Sequence, residues 1–412
     1  MRAFEYVTSA VDTFRSQPVR TILTLVSIAI GIVAIVGAGG AASALEQSLS
    51  NEITASGAYT LVIQRHPSII TSGEEWRRYM RRRPVTYVQA SQYKHRIEES
   101  GAQAMLFSSA SAMTVRFGNE HTDPDVTLVG SDDGFFPLRN YRIAAGRPLV
   151  TDDIVHGRAV AVIGNDVRQD LFPGDTDPIG KEIQIRNQRF TIVGVLEPKG
   201  GIFGQSQDNM VVVPIRVFVR AFADEWNYSI SIFVQARSAA HLEQVFDESI
   251  GILRSIRTIA PGEENDFEIE LLASIADQLG SFLRFVGLFG AFCGAIALVA
   301  AGVGIMNIML ISVKERTREI GVRKAIGATI RSILMQFLVE AIVLCQVGAL
   351  GGIALGAALS AALSALAGVD VTVPLSWAIA SMLLCMLVGV AFGAYPAWKA
   401  ARLSPIDALR YE

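Results

Sequence analysis

Residues 174–182, Gly174-Asp175-Thr176-Asp177-Pro178-Ile179-Gly180-Lys181-Glu182, come nearest in this chain to a phosphate-binding loop. In such a loop, backbone N–H groups between two glycines cradle phosphate. A lysine reaches the terminal phosphates, and a Ser or Thr hydroxyl holds the metal. Here one residue too many separates the glycines, and Glu182 stands where the hydroxyl belongs. Asp175, Asp177 and Gly180 have the spacing that opens a calcium loop. Its third ligand position is Ile179 and its closing glutamate position is Arg186, so an oxygen cage does not close. The five histidines (His66, His95, His121, His156, His241) lie scattered without metal-ligand spacing, and no G-x-S-x-G elbow occurs. We expect no catalytic, cofactor-binding or metal-binding residues in this chain, and a binding or interaction role for the region around these decoys.

A different kind of chemistry is offered by the run from Met306 to Ala328. From Lys314 to Lys324 it carries five positive and two negative side chains. Glu315/Arg318 and Glu319/Arg323 are spaced to pair along a helix that continues from the preceding apolar run. Gly321 permits a sharp break. A short amphipathic segment is then expected, with Val322, Ala325 and Ile326 on one side and Arg323 and Lys324 on another. Gly327 can end it, and Thr329 can cap the helix that follows. A compact charged protrusion with a small apolar face suits docking in a partner's groove.

The elements that position this protrusion are apolar helices. The chain has 412 residues, 51% hydrophobic and only 18% charged, with mean hydropathy +0.38. Soluble chains carry about 25% charged residues, so the deficit points to a membrane. The net charge of −3 argues against a nucleic-acid partner. Four uncharged runs, Thr21–Leu45, Phe285–Ile311, Ala341–Val369 and Val371–Trp398, each exceed the roughly 20 residues that cross a bilayer. The first is too long for a signal peptide and reads as an uncleaved anchor. Glu340, just before the third run, reads as lying in the third helix near its cytoplasmic end, a helix-terminal carboxylate near the headgroups in preference to an intramembrane site. Cys293, Cys345 and Cys385 all lie in apolar runs and read as packing residues. Gly290/Gly294, Gly348/Gly352/Gly356 and Gly389/Gly393 are spaced for close helix packing in lipid, within one chain or between chains. No span carries a series of ionisable residues, which disfavours an ion-coupled carrier.

Arginine and lysine in the short loops set orientation. Arg2, Arg15 and Arg20 precede the first span. Lys314, Arg316, Arg318, Arg323, Lys324 and Arg331 lie between the second and third, and Lys399, Arg402 and Arg410 follow the fourth. Both termini are expected in the cytoplasm. The expected organisation is an amphipathic surface helix at 1–19 (Phe4, Val7, Val11 and Phe14 on one face), spans at 20–45, 281–312, 331–367 and 371–398, an extracytoplasmic domain at 46–280, a loop at 313–330 and a tail at 399–412. The domain reads as α+β, of two subdomains. Strands are expected at Tyr59–Gln64, Met105–Phe117, Val126–Val129, Ala159–Ile163, Glu182–Val195, Met210–Val213 and Ser229–Gln235, with helices at Thr86–Glu99, Asn165–Leu171 and Ala239–Ile259. Arg77, Arg78, Arg81, Arg82 and Arg83 beside Trp76 read as a solvated helix face, with a membrane-surface or partner contact as the alternative.

The stretch from Glu315 to Ala328 resembles, without a gap, the signature of the FtsX-like permease family, most closely its MacB-type members. Pro396-Ala397-Trp398-Lys399-Ala400-Ala401 and Ser404–Glu412 resemble its closing motif. Val162-Ile163-Gly164, Leu171-Phe172-Pro173, Asp177–Lys181 and Phe190–Leu196 resemble its extracytoplasmic domain. The resemblance covers nearly the whole chain, including the one-plus-three arrangement of spans. It implies a coupling helix seated on a nucleotide-binding subunit, through Lys314, Glu315, Arg316, Thr317, Arg318, Glu319, Ile320, Gly321, Val322, Arg323, Lys324, Ala325 and Gly327. It also implies two permease subunits and two ATPases, identical or paralogous permeases, and movement of the outward domains on ATP binding. Only about twenty residues precede the first span, so the ATPase, with its ATP and Mg, is expected on a separate chain. The expected function is export or extraction of an antibiotic, peptide or lipid-linked substrate, with an adaptor or substrate protein outside the membrane. The alternatives are a lipoprotein-releasing permease and a non-transporting regulator of a cell-wall hydrolase.

Overall fold

The computed structural model describes residues 18–57, 59–70, 72–174, 177–202, 205–222, 228–367 and 374–409. The face formed by Phe4, Val7, Val11 and Phe14, and Arg410, lie outside the described residues. In chain order the helices are α1 (Pro18–Ser56), α2 (Gly73–Met80), α3 (Tyr87–Glu99), α4 (Phe135–Leu138), α5 (Thr151–Val155), α6 (Asn165–Leu171), α7 (Ile215–Phe222), α8 (Ala239–Arg257), α9 (Leu272–Glu315), α10 (Thr317–Ala325), α11 (Ile330–Ala367), α12 (Leu375–Ala401) and α13 (Pro405–Leu409). The strands are β1 (Thr60–Gln64), β2 (Gln103–Met113), β3 (Val115–Phe117), β4 (Glu120–His121), β5 (Val126–Ser131), β6 (Ile143–Gly146), β7 (Val160–Ile163), β8 (Glu182–Ile185), β9 (Gln188–Leu196), β10 (Gly201–Ile202), β11 (Gln205–Ser206), β12 (Met210–Pro214), β13 (Ser231–Gln235) and β14 (Glu268–Leu271). The chain divides into two compact units, residues 1–47 with 281–412, and residues 48–280.

In the first unit, α1, α9, α11 and α12 are long and apolar enough to cross a membrane. The helices outrun the uncharged stretches that announced them. At 44 residues, α9 is about 66 Å long at about 1.5 Å per residue, roughly twice the hydrocarbon thickness. A helix satisfies its own backbone whatever its side chains face, so leaving the apolar run does not end it. The glycine rows are contacts within this one chain. A Cβ on Gly294 would stand 2.7 Å from the Gly31 carbonyl oxygen, and one on Gly352 would stand 2.9 Å from that of Ala29. Gly393 faces Ala341, whose Cβ would lie 2.6 Å away. The first span thus packs on the second and third, and the fourth on the third. Ile28, Ile32, Leu298, Met309, Phe337, Leu344, Cys345 and Cys385 fill the space between them. On α9, Phe285, Phe289, Phe292 and Ile296 are exposed, as a lipid-facing surface requires.

The second unit is built on one mixed sheet in the order β14-β1-β13-β2-β5-β12-β7-β9-β8-β3-β4, with β6 added on β9. β5–β12 and β7–β9 are its parallel pairs. Helices α3 and α8 cover one end, where Tyr93, Ile97, Val245 and Leu253 pack with Leu61, Ile63, Ile232 and Val234. Tyr93 and Ser249 share a buried hydrogen bond of 2.6 Å. The run Val211-Val212-Val213 sends its outer pair to one face, with Phe190 and Phe218, and Val212 to the other, with Phe135 and Met105. In β8, Ile183 and Ile185 are buried while Glu182 and Gln184 are exposed, the alternation of a half-buried strand. Two expected strands are each divided. Met105–Phe117 is divided at Thr114 into β2 and β3, and β2 carries a bulge between Ala110 and Met113, where Ala112 takes φ 60°. Glu182–Val195 is the β8–β9 hairpin, turning at Arg186 with φ 50°. The short β6 and β14 carry no alternation long enough to read.

Candidate functional site

α9 ends at Glu315, and α10 begins two residues later. The break is at Arg316, whose backbone (φ −100°, ψ 15°) leaves helical geometry. The Thr317 hydroxyl fastens the corner by donating to the carbonyl oxygens of Val313 (2.9 Å) and Lys314 (2.8 Å). This corrects the expectation of a break at Gly321, which sits inside α10. Glycine is needed there for another reason. A Cβ on Gly321 would lie 2.7 Å from the Ala408 Cβ of α13, so the two short helices touch backbone to backbone. The end of α10 is as expected. Gly327 takes φ 104°, Ala328 N–H donates to Arg323 O (3.0 Å), and Gly327 N–H donates to Lys324 O (3.1 Å). These are the two bonds of a Schellman stop. Thr329 caps α11, its Oγ1 accepting from Ser332 N–H at 3.2 Å.

The other site residues divide by face. Ile320, Gly321 and Thr317 are buried, while Lys314, Glu315, Arg318, Glu319, Val322, Arg323, Ala325 and Gly327 are exposed. The expected Glu319–Arg323 pair forms, and Arg323 Nη1 also donates to Gln336 Oε1 at 2.8 Å. Lys324 Nζ donates to the Leu403 carbonyl at 2.8 Å, tying α10 to the segment that leads into α13. Arg316 Nη1 lies 3.4 Å from Glu340 Oε1. Glu340 is only 1% exposed and about three turns into α11. It is a buried partner of the corner, not a carboxylate facing headgroups. The sequence signal was there, a lone acid at the edge of an apolar run, but its partner lies 24 positions away. Ala408 and Gln336 carried no such signal.

The protrusion thus joins α10 and α13, and its outer surface carries Val322 (41% exposed), Ile326 (82%) and Ile406 (78%) beside Arg318 and Arg323. At the end of α12, Tyr395 and Trp398 stack at 6.5 Å and the Arg402 guanidinium lies 4.4 Å over the Trp398 ring. This amphipathic cluster suits a membrane–water boundary.

Elsewhere, in the stretch resembling a phosphate site, Gly180 and Lys181 are tied to the sheet and its aromatic residues. Lys181 Nζ stands 5.5 Å from the Phe117 ring and 5.2 Å from that of Phe172, and Gly180 N–H donates to Ile192 O at 2.8 Å. Gly164 is required because the Asp208 carbonyl oxygen would lie 2.0 Å from its Cβ. Among the described residues, no three His, Cys, Asp or Glu side chains come together as a metal site.

Four membrane-crossing helices, with a mixed-sheet domain inserted after the first, make this a multi-pass membrane protein of the permease class. Residues 21–250 match the MacB-like periplasmic core domain, and residues 291–405 match the FtsX-like permease C-terminal domain. The chain belongs to the MacB/FtsX-like family of ABC transporter permeases. It is 34% identical to a macrolide export ATP-binding/permease protein MacB of Bdellovibrio bacteriovorus, over 99% of this chain but only 62% of that protein. It is 31% identical over the full length of both to an uncharacterized ABC transporter permease, YknZ, of Bacillus subtilis. The crystal structure of the extracellular domain of a YknZ transporter from Gram-positive bacteria aligns with 51% of this chain, at 21% identity and a TM-score of 0.39.

Proposed function

We propose that this chain is the permease subunit of an ABC transporter whose ATPase is a separate chain, seated on the α10–α13 protrusion. The observation that carries the reading is the construction of that protrusion. Its inner side is locked by Gly321 against Ala408, Lys324 to Leu403 and Arg316 to Glu340, while Arg318, Val322, Arg323 and Ile326 are left outward. A rigid element with a mixed apolar and basic outer face transmits a push, where a loose basic loop would absorb it. The basic residues around it support a cytoplasmic position for the protrusion and both termini, and an outward position for the 46–280 domain. ATP and Mg bind in the ATPase. Two permease subunits work together, and hydrolysis moves their outward domains to export or extract an antibiotic, peptide or lipid-linked substrate, with or without an adaptor protein.

The test is co-purification with the ATPase encoded beside this chain, using wild type and the double variant Glu315→Lys/Glu319→Lys. Wild type retains the ATPase and the variant loses it. Retention by the variant at the wild-type level, or no ATPase captured by a folded wild type, overturns the assignment.

A further inference from the structure

A cavity of about 580 Å³ lies within the inserted domain, between the end of β1, α2, β2, the end of α7 and the start of β13. That volume is in the range of small-molecule sites. Aromatic residues line it: Trp76, Phe218, Phe222 and Tyr228, with Phe107 at the strand that borders it. The hydroxyl-bearing residues Ser108, Ser109, Ser229 and Ser231 line the rest, with Gln64. The charge is one-sided. Arg65 and His66 line the cavity, and among the described residues no Asp or Glu does. The acids nearest in the sheet are committed elsewhere. Glu268 holds Arg82 at 2.7 Å, and Glu270 takes Gln64 Nε2 at 3.0 Å and Ser68 Oγ at 2.6 Å. Arg65 donates to the Met80 carbonyl, but its Nε is buried without a hydrogen-bond partner. Burial, and then Arg257, pull its pKa down, as expected of a partly desolvated cation near a second one.

We propose that this cavity binds an amphipathic small molecule with a single anionic headgroup, its apolar part against Trp76, Phe222 and Tyr228 and its anion on Arg65. Aromatic side chains and a guanidinium suit an acyl or aryl carboxylate. Among the described residues a cationic amphiphile would meet Arg65 and His66 and no counter-charge. The inference does not rest on ATPase docking, since binding is measured without nucleotide or ATPase.

The experiment uses the full chain in phosphatidylcholine nanodiscs. The probe is a diazirine-bearing C16 carboxylic acid, compared with its methyl ester, and labelled sites are mapped by peptide mass spectrometry. We expect the acid to label peptides containing Trp76–Met80 and Phe218–Phe222. Arg65→Gln lowers labelling by the acid about tenfold or more, as expected for a lost charge-assisted hydrogen bond, and leaves the ester unchanged. Ser109→Trp, an exposed position on the cavity's edge, lowers labelling by both. Three results overturn the proposal: equal labelling of the cavity by acid and ester in wild type, label confined to the four span helices, or unchanged labelling in Ser109→Trp.

Discussion

Gly321→Leu tests the construction of the protrusion most directly. Ordinary carbon–carbon contact is about 3.5–4.0 Å, yet even the first added carbon would stand 2.7 Å from Ala408 Cβ. The helices must part by roughly 1 Å for a methyl and by more for leucine, and overpacking of this kind costs about 1–3 kcal/mol. At five residues, α13 is too short to hold helical structure without tertiary contact. A cost of about 2 kcal/mol moves its docked-to-free ratio by about 30-fold. The assay is limited trypsin digestion of the nanodisc-embedded chain, reading cleavage after Lys399 and Arg402, beside ATPase retention. Gly321→Leu is expected to speed that cleavage and lose the ATPase while the protein still inserts. The swap Gly321→Ala/Ala408→Gly removes one methyl as it adds the other, and is expected to restore protection. Wild-type protection and ATPase retention in Gly321→Leu would falsify the packing argument.

Other consequences follow from the same contacts. Glu319→Lys alone breaks an exposed pair worth no more than about 1 kcal/mol; its thermal unfolding should match wild type, so any loss of ATPase stimulation reports on docking. Glu340→Leu leaves Arg316 without its carboxylate in a buried corner and is expected to cost about 3 kcal/mol, against a smaller loss for Glu340→Gln, read by thermal unfolding in detergent. Gly352→Val drives a side chain into Ile32 and Ala29 and should lower the melting temperature of the bundle. In the inserted domain, burial alone would raise the Asp153 pKa, but Arg147, the Val150 N–H and Arg158 outweigh it and hold it below the ordinary carboxylate range. A depressed carboxylate stabilises the fold above its unfolded pKa, about 3.9, and loses that contribution as pH falls through the folded value. Arg147→Gln leaves burial unopposed by its main partner, so acid unfolding followed by circular dichroism should begin at higher pH than in wild type.

The sequence by itself determined the membrane class, the four spans and the position of the inserted domain. It did so because an uncharged run longer than the hydrocarbon is thick has few other fates, and because hydrophobic length is a local property. It also located the Schellman stop at Gly327, the cap at Thr329 and the Glu319–Arg323 pair, each set by residues within a few positions of one another. It misplaced the break that makes the protrusion. A glycine permits a turn but does not demand one, and Gly321 is a glycine because Ala408, on a separate helix, presses against it. The meaning of Glu340 was decided by Arg316 in the same way. Single-chain packing of the glycine rows and the gathering of Arg65, Trp76, Phe107 and Tyr228 around one cavity were likewise matters for the tertiary structure. These contacts join residues tens to more than a hundred positions apart, and no local pattern of polarity records which distant side chain will arrive.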